Sequence, residues 1–266
     1  MTGPLFLKLG GSLITDKTGI EVVREDVLRR VASEIALAKE NDPELALIVG
    51  HGSGSFGHVA AAKYDTRSGV SSEDDWRGFA EVSDAAARLN RLVVQALLEA
   101  GVSAITIQPS GSAVCDMGRI VSMAVEPVRQ ALEAGIVPVV YGDVAFDLGL
   151  GGTIISTEEI LIFLAAELDP PWLLLAGETA GVLGPDKEPL SSITPSSLPE
   201  IAHYLGGSRG TDVTGGMAGK VQVMLNLISA LPALQVRIFS GLQPGLLYSV
   251  LQNPATPAGT VLRHPG

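Results

Sequence analysis

The chain has 266 residues, 46% of them hydrophobic, 18% charged and 5% aromatic, which is enough apolar mass for one large core or two closely packed lobes. Lys and Arg number 18 against 29 Asp and Glu, and the net charge of −11 excludes a general affinity for nucleic acid or an anionic membrane, while leaving room for a local basic pocket that holds phosphate. The single cysteine, Cys115, cannot close an intramolecular disulfide, so the fold needs no oxidising compartment.

In chain order, Met1 to Lys17 shows no basic region followed by a long apolar stretch, so no signal peptide is read and a cytoplasmic location is expected. Leu5–Leu9 reads as a buried strand, Arg24–Lys39 as a helix, Leu45–Val49 as a strand and Trp76–Ala100 as a long helix. Val102–Ile107 is a further strand, and Gly111–Met123 a β-prone piece. Val125–Ala134 is a helix, Ile136–Tyr141 a strand, and Ala145–Ile155 a second β-prone piece. Both β-prone pieces are expected as hairpins at sheet edges. Glu158–Leu168 (helix), Trp172–Ala176 (strand), Met217–Ala230 (helix) and Val236–Phe239 (strand) complete the series. Mean hydropathy is +0.34, but Glu167, Asp169, Pro170 and Pro171 break the apolar stretch from Ile160 to Ala176, leaving less than the ~20 residues a membrane span needs.

Near-continuous apolar strands alternating with helices predict an α/β fold whose mainly parallel sheet is covered on both faces. No tandem repeat or linker is present. Gly151-Gly152 is the best candidate for a boundary between two lobes, about 1–152 and about 153–266, of one domain spanning 1–266.

Ligands of open α/β sheets bind beyond the carboxyl ends of the strands, and three turns stand out there. In Lys8-Leu9-Gly10-Gly11-Ser12 a lysine ends a strand among Leu5, Phe6, Leu7 and Leu9, where an unpaired ammonium is costly, and Lys17 follows nine residues later. In Gly50-His51-Gly52-Ser53-Gly54-Ser55-Phe56-Gly57-His58, successive backbone N–H groups suit an anion, with His58 at the far end. Its G-x-G-x-x-G spacing also matches a dinucleotide fingerprint, but no strand end presents an acid about twenty residues on. The third turn, Thr214-Gly215-Gly216-Met217-Ala218-Gly219-Lys220, opens a helix that Thr214 can cap. It lacks the first glycine and the Ser/Thr of a Walker A loop.

No G-x-S-x-G elbow and no zinc spacing among His51, His58, His203, His264 and Cys115 is found. Ser156-x-x-Glu159 fits a capping box and accounts for one of the adjacent acids Glu158 and Glu159. Glycine-rich strand ends carrying lysines and a histidine, without a nucleophile or metal cage, suit phosphoryl transfer, where the protein positions groups and stabilises charge.

These residues resemble the amino acid kinase superfamily. Four features are similar to its isopentenyl phosphate kinases: Ile14-Thr15 with Lys17, Gly54-Ser55-Phe56-Gly57-His58, Tyr141-Gly142-Asp143-Val144, and Ser240-Gly241-Leu242-Gln243-Pro244-Gly245 with a late Gly259-Thr260. The resemblance implies a three-layer α/β/α sandwich, a homodimer, an acceptor-binding N-terminal lobe and a nucleotide-binding C-terminal lobe. It implies transfer of the ATP γ-phosphoryl group to isopentenyl phosphate, with Mg2+ on the ATP oxygens and no protein metal site. By position, Lys8, Gly10, Gly11 and Ser12 would hold ATP phosphates and Lys17 would stabilise the transferring group. Ser53 and Gly54 would offer amides to the acceptor and donor phosphates, His58 would bond the acceptor phosphate, Thr157 would lie on the substrate side, and Gly216 and Lys220 would contact the nucleotide. The chain departs from the family in having Ser156-Thr157-Glu158-Glu159 for Ser-Gly-Asp-Asp, and Gly177-Glu178-Thr179-Ala180-Gly181-Val182-Leu183 in the nucleotide loop. Fosfomycin kinase is a rival on the same fold. The apolar residues Phe79, Val82, Ala85, Ala86, Ala87, Leu89 and Leu92 of the long helix suit a pocket for a branched apolar acceptor tail, and are equally what any core-facing helix needs. A non-catalytic sensor need not keep Lys8, Lys17, His58 and Lys220, and an oxidoreductase rests on the glycine fingerprint alone.

Overall fold

The computed structural model describes residues 3–16, 18–57, 64–205 and 216–265. Strand β1 (Leu5–Leu9) leads through a short turn, α1 (Gly11–Ile14), to the two-stranded ribbon β2 (Thr15–Asp16) and β3 (Val22–Val23), then to α2 (Glu25–Asn41) and β4 (Leu47–His51). The long helix α3 (Glu73–Glu99) precedes β5 (Ala104–Thr106), the hairpin β6 (Val114–Asp116) and β7 (Arg119–Ser122), α4 (Glu126–Glu133) and β8 (Val137–Tyr141). A second hairpin, β9 (Asp143–Asp147) and β10 (Gly151–Ile155), is followed by α5 (Thr157–Leu168) and β11 (Trp172–Gly177). The remainder is β12 (Ser192–Ile193), α6 (Leu198–Leu205), α7 (Gly216–Ala230), β13 (Gln235–Ser240), α8 (Leu246–Gln252) and β14 (Thr260–Leu262).

Eight strands form the main sheet in the spatial order β12-β14-β13-β11-β1-β4-β8-β5, parallel except for the β13–β14 pair. Side chains alternate across a strand, and the core divides accordingly. Leu5, Leu7 and Leu9 pack with Leu28 and Ile35 of α2, Leu89 and Val93 of α3, and Val250 of α8. Phe6 faces the other way, with Ile160 and Leu164 of α5 and Val221 and Met224 of α7. The sheet is therefore the middle of three layers. Truncating Phe6, which is fully buried, to alanine would cost about 3–5 kcal/mol.

The two β-prone pieces are hairpins, but they do not extend the edges of the main sheet. They pair with each other in a separate four-stranded sheet, β10-β9-β6-β7, through the parallel contact of β6 with β9. Asp147 supplies the reason. Its carboxylate accepts N–H bonds from Met117 and Gly118 in one hairpin turn and from Gly149 and Leu150 in the other, tying the two turns together. Gly151 and Gly152 begin β10 and pair with Asp147 and Phe146. The short elements β12, β14, α6 and α8 were not expected from the sequence. Two- and three-residue strands carry too few side chains for alternation to register.

Candidate active site

The parallel strands β1, β4, β11 and β13 end on one edge of the sheet, and their turns are stitched together. Gly10 N–H bonds the Ala176 carbonyl at 2.8 Å, Gly52 N–H the Leu9 carbonyl at 3.1 Å, and Gly241 N–H the Gly177 carbonyl at 2.7 Å. The first two glycine turns touch backbone to backbone, since a Cβ on Gly11 would lie 2.5 Å from the Gly54 nitrogen. Gly54 has φ +51°, and a side chain there would overlap Thr15 Oγ1. That hydroxyl donates to the Gly11 carbonyl at 2.8 Å and accepts the Ser55 N–H at 3.0 Å. The turn from Gly10 to Ser12 and the turn from Gly52 to Gly54 thus lie side by side at the strand ends, and residues 54–57 continue as a helical turn.

Lys8 shares Phe6's face of the sheet, so it points toward α5 and α7. It is 7% exposed, and its Nζ donates to Glu158 Oε1 at 2.9 Å. Two glycines let the start of α5 reach it. A Cβ on Gly50 would lie 2.8 Å from Thr157 Cγ2, and one on Gly142 would lie 3.4 Å from the Thr157 nitrogen. Thr157 closes the contact by donating its hydroxyl to the His51 carbonyl at 2.6 Å. The adjacent acids divide their work. Glu159 completes the capping box with Ser156 and pairs with Arg67 at 2.9 Å, whereas Glu158 turns inward. Burial pushes the Glu158 carboxyl up, but the Lys8 and Lys220 ammonium groups override it and hold it at about 2. Lys220 stands in the first turns of α7, which Gly216 opens with φ +62°. Lys8, Lys220 and Glu158 form one group at the glycine turns, with charges that sum to +1. Lys17, His58, Thr214 and Gly215 lie outside the described residues.

His51, the last residue of β4, is fully buried on the opposite face from Lys8. Asn90 Nδ2 donates to its Nε2 at 3.1 Å, while Thr106 Oγ1 donates to Asn90 Oδ1 at 2.6 Å. Its Nδ1 lies 3.1 Å from the Gly52 carbonyl, and its ring stacks on Tyr141 with centroids 5.6 Å apart. Burial, together with nearby Lys8, lowers the imidazole to about 4 against the Gly52 hydrogen bond that raises it, so the ring is neutral.

A cleft of about 440 Å³ opens beside α3, lined by Phe79, Ser83, Ala87, Ser110, Val144 and Phe146 among others. Val82 belongs instead to the small apolar cluster with Val70, Phe79 and Val144. Asp143 lies buried nearby, accepting from Ser83 Oγ at 2.9 Å and from the Ser110 N–H at 3.2 Å, and burial raises its carboxyl.

The resemblance implies that a Glu of the Glu158-Glu159 pair organises the lysines, without saying which, and the sequence assigns His51 and Asn90 no task. The signal for Glu158 was available: an acid beside the capping residue of a helix, with no part in the cap. For Asn90, a polar residue in the apolar run of α3 was the clue.

Residues 4–240 match the model of the amino acid kinase family. The chain is 38% identical to isopentenyl phosphate kinase of Methanothermobacter thermautotrophicus, over 84% of this chain and 86% of that one. It is 39% identical to the Haloferax volcanii isopentenyl phosphate kinase, over 83% and 87%. A crystal structure of an isopentenyl phosphate kinase superposes with a TM-score of 0.82 at 32% identity, covering 97% of this chain and 99% of that one. The chain belongs to the amino acid kinase family and, within it, to the isopentenyl phosphate kinases.

Proposed function

We propose that the protein transfers the γ-phosphoryl group of ATP to isopentenyl phosphate, an oxygen of the acceptor phosphate displacing ADP to give isopentenyl diphosphate. The observation that carries this reading is the Lys8–Glu158–Lys220 group set against two touching glycine turns. Two cations at one polyanion site, kept apart and oriented by a single carboxylate, supply the charge stabilisation that phosphoryl transfer needs. Lys8 and the amides of Gly10, Gly11 and Ser12 bind the ATP phosphates in the C-terminal, nucleotide-binding lobe (about 153–266) and its junction with the first strand. Gly216 and Lys220 close on the nucleotide from α7, and Lys17 meets the transferring group.

The acceptor lies in the N-terminal lobe (about 1–152), its phosphate between the Ser53 and Gly54 amides and His58. An alkyl phosphate is already ionised, so His58 is a hydrogen-bond donor rather than a base. The Thr157 hydroxyl is committed to the His51 carbonyl, so any substrate contact of that residue falls to its backbone. The apolar tail lies against α3, with Phe79 at the cleft. Among the described residues no group of three or more His, Cys, Asp or Glu side chains is placed to hold a metal ion, and Glu158 is engaged by lysine. Mg2+ is expected on ATP oxygens and water, as the family resemblance implies, where it neutralises phosphate charge. A homodimer and a cytoplasmic location complete the reading, and light scattering tests the former.

The test is steady-state kinetics with ATP, Mg2+ and a panel of isopentenyl, dimethylallyl and geranyl phosphates and fosfomycin. Preferred turnover of isopentenyl phosphate is expected. Preference for fosfomycin would move the assignment to the rival kinase, and no turnover of any acceptor would leave a sensor. His58→Ala should raise the acceptor KM and lower kcat, with partial recovery in His58→Gln or His58→Asn. Equal loss in all three would assign a proton-transfer role.

A further inference from the structure

Gly52 sits where the two halves of the phosphate cradle meet. A Cβ on it would lie 3.0 Å from the Gly11 nitrogen and 3.9 Å from Lys8 Nζ. Both of its flanking peptides are held. Its N–H is bonded to the Leu9 carbonyl, and its carbonyl lies 3.1 Å from His51 Nδ1. The second contact has a directional consequence. The Gly52 carbonyl and the Ser53 N–H belong to one planar trans peptide, so whatever fixes the carbonyl fixes the N–H on its opposite side. We propose that His51 is a positioning residue, held as the neutral Nδ1–H tautomer by Asn90, that pins the Gly52 carbonyl and thereby aims the Ser53 N–H into the phosphate cradle.

The tautomer follows from the relay. Thr106 Oγ1 donates to Asn90 Oδ1, which orients the amide so that its Nδ2 faces His51 Nε2. An amide N–H facing Nε2 requires that nitrogen to accept, so the ring proton sits on Nδ1 and is donated to Gly52. The ring is fixed by stacking on Tyr141 and by the Thr157 hydroxyl on its own carbonyl. Tyr141 on β8 and the neutral Asn90 on α3 face it, and the nearest charge is Lys8 of β1, on the opposite side of the sheet and paired there with Glu158 of α5. None of them offers a carboxylate that would draw a second proton onto the imidazole. The assignment of the Ser53 N–H to a phosphate rests on the kinase reading above, whereas the tautomer and the peptide orientation do not.

Three variants and one spectrum test the proposal. In His51→Asn the side-chain amide reaches the Gly52 carbonyl as Nδ1–H does, and kcat should stay within about threefold of wild type. In His51→Leu the volume is kept and the donor lost, so kcat and kcat/KM for the acceptor should fall at least tenfold while KM for ATP changes less than twofold. Asn90→Asp reverses the polarity of the relay. Its carboxylate draws the proton to Nε2 and turns the Nδ1 lone pair toward the Gly52 carbonyl, so activity should drop at high pH. It should recover as the pH falls and the imidazolium restores the Nδ1 donor, a limb that wild type lacks. Superimposable pH profiles for wild type and Asn90→Asp overturn the proposal, as does a folded His51→Leu with wild-type kcat. Should His51→Leu fail to fold, nitrogen-15 NMR of the wild-type imidazole decides, because a protonated Nε2 at neutral pH contradicts the relay. Wild-type turnover alone decides the kinase reading, and the NMR result on the ligand-free protein stands whichever way that falls.

Discussion

Lys8 and Glu158 lie 150 positions apart in the chain and meet at 2.9 Å, one from the central strand and the other from the first turn of α5. With Lys220 beside them, this pair fixes where positive charge is presented at the strand ends. Removing one partner of this part-buried pair leaves the other uncompensated, at a cost below the ~3–5 kcal/mol of a fully buried pair. Glu158→Gln should therefore lower thermal stability in the ligand-free protein, with two ammonium groups left facing each other. Added ATP should raise the melting temperature more in this variant than in wild type, because phosphate takes over as counter-charge. Equal ATP-induced shifts in calorimetry would remove Glu158 from that role.

The lysines themselves should affect rate. Lys8→Ala and Lys220→Ala each take one cation from the charge that develops during transfer, for an expected loss of about 10²–10³ in kcat, or roughly 3–4 kcal/mol. Near-normal turnover in either folded variant would take that lysine out of the site.

Two glycines separate packing from binding. Gly50→Ala would set a methyl group 2.8 Å from Thr157 and 3.1 Å from Leu161, pushing α5 off the sheet. Urea denaturation should show a loss of about 1–3 kcal/mol, with kcat reduced because Glu158 moves with its helix. Gly177 ends β11 beside Gly10, and a Cβ there meets nothing within 4 Å. Gly177→Ala should leave stability near wild type and raise KM for ATP, leaving KM for the acceptor alone. An unchanged KM for ATP would place the nucleotide away from this strand end.

Stability should fall in two acid stages. Burial holds the folded His51 imidazole at about 4, below its ordinary 6.5. Between those values the unfolded chain binds a proton that the folded chain does not, so stability declines as the pH drops from 6.5 toward 4, by on the order of 3 kcal/mol. Glu158, held at about 2 against an ordinary 4.5, adds a second loss as the pH falls through that lower window. Urea midpoints measured from pH 7 to pH 4 should show the first stage in wild type and a flatter profile in His51→Asn. Parallel slopes in the two proteins would count against a neutral buried imidazole.

The acceptor tail supplies a size test. Phe79 lines the cleft beside α3, whereas Val82 is packed in the cluster behind it. Phe79→Ala should shift preference from isopentenyl toward geranyl phosphate, and Val82→Ala should do so less. An unchanged ranking in both would place the tail elsewhere.

Much of the architecture was legible because buried strands and amphipathic helices announce themselves by period. The bounds of β1 agree with the reading of Leu5–Leu9, α4 differs by one residue at each end, and α5 and α7 differ by one residue at the start only. The capping box of Ser156 and Glu159 was equally local and equally readable. What could not be read depends on chain segments meeting in space. Gly50 and Gly142 look like ordinary turn glycines until α5 is laid on them, and Asp147 gives no sign in one dimension of gathering four N–H groups from two hairpins. His51 sits within a glycine-rich stretch that draws attention to its loop, whereas the side chain belongs to the strand and points into the core.

The central place of β1 also sets a timetable for synthesis. One of its neighbours, β4, follows within about fifty residues, but the other, β11, begins only at Trp172. At roughly 5–20 residues per second a ribosome needs about six to twenty-four seconds to extend from β4 to β11. Through that interval one side of the strand that will carry Lys8 has no native partner, and the apolar run Leu5-Phe6-Leu7 is open to other chains. The nascent protein is therefore most vulnerable to aggregation before its second half emerges, and the Lys8–Glu158–Lys220 group can be assembled only after most of the sequence has left the ribosome.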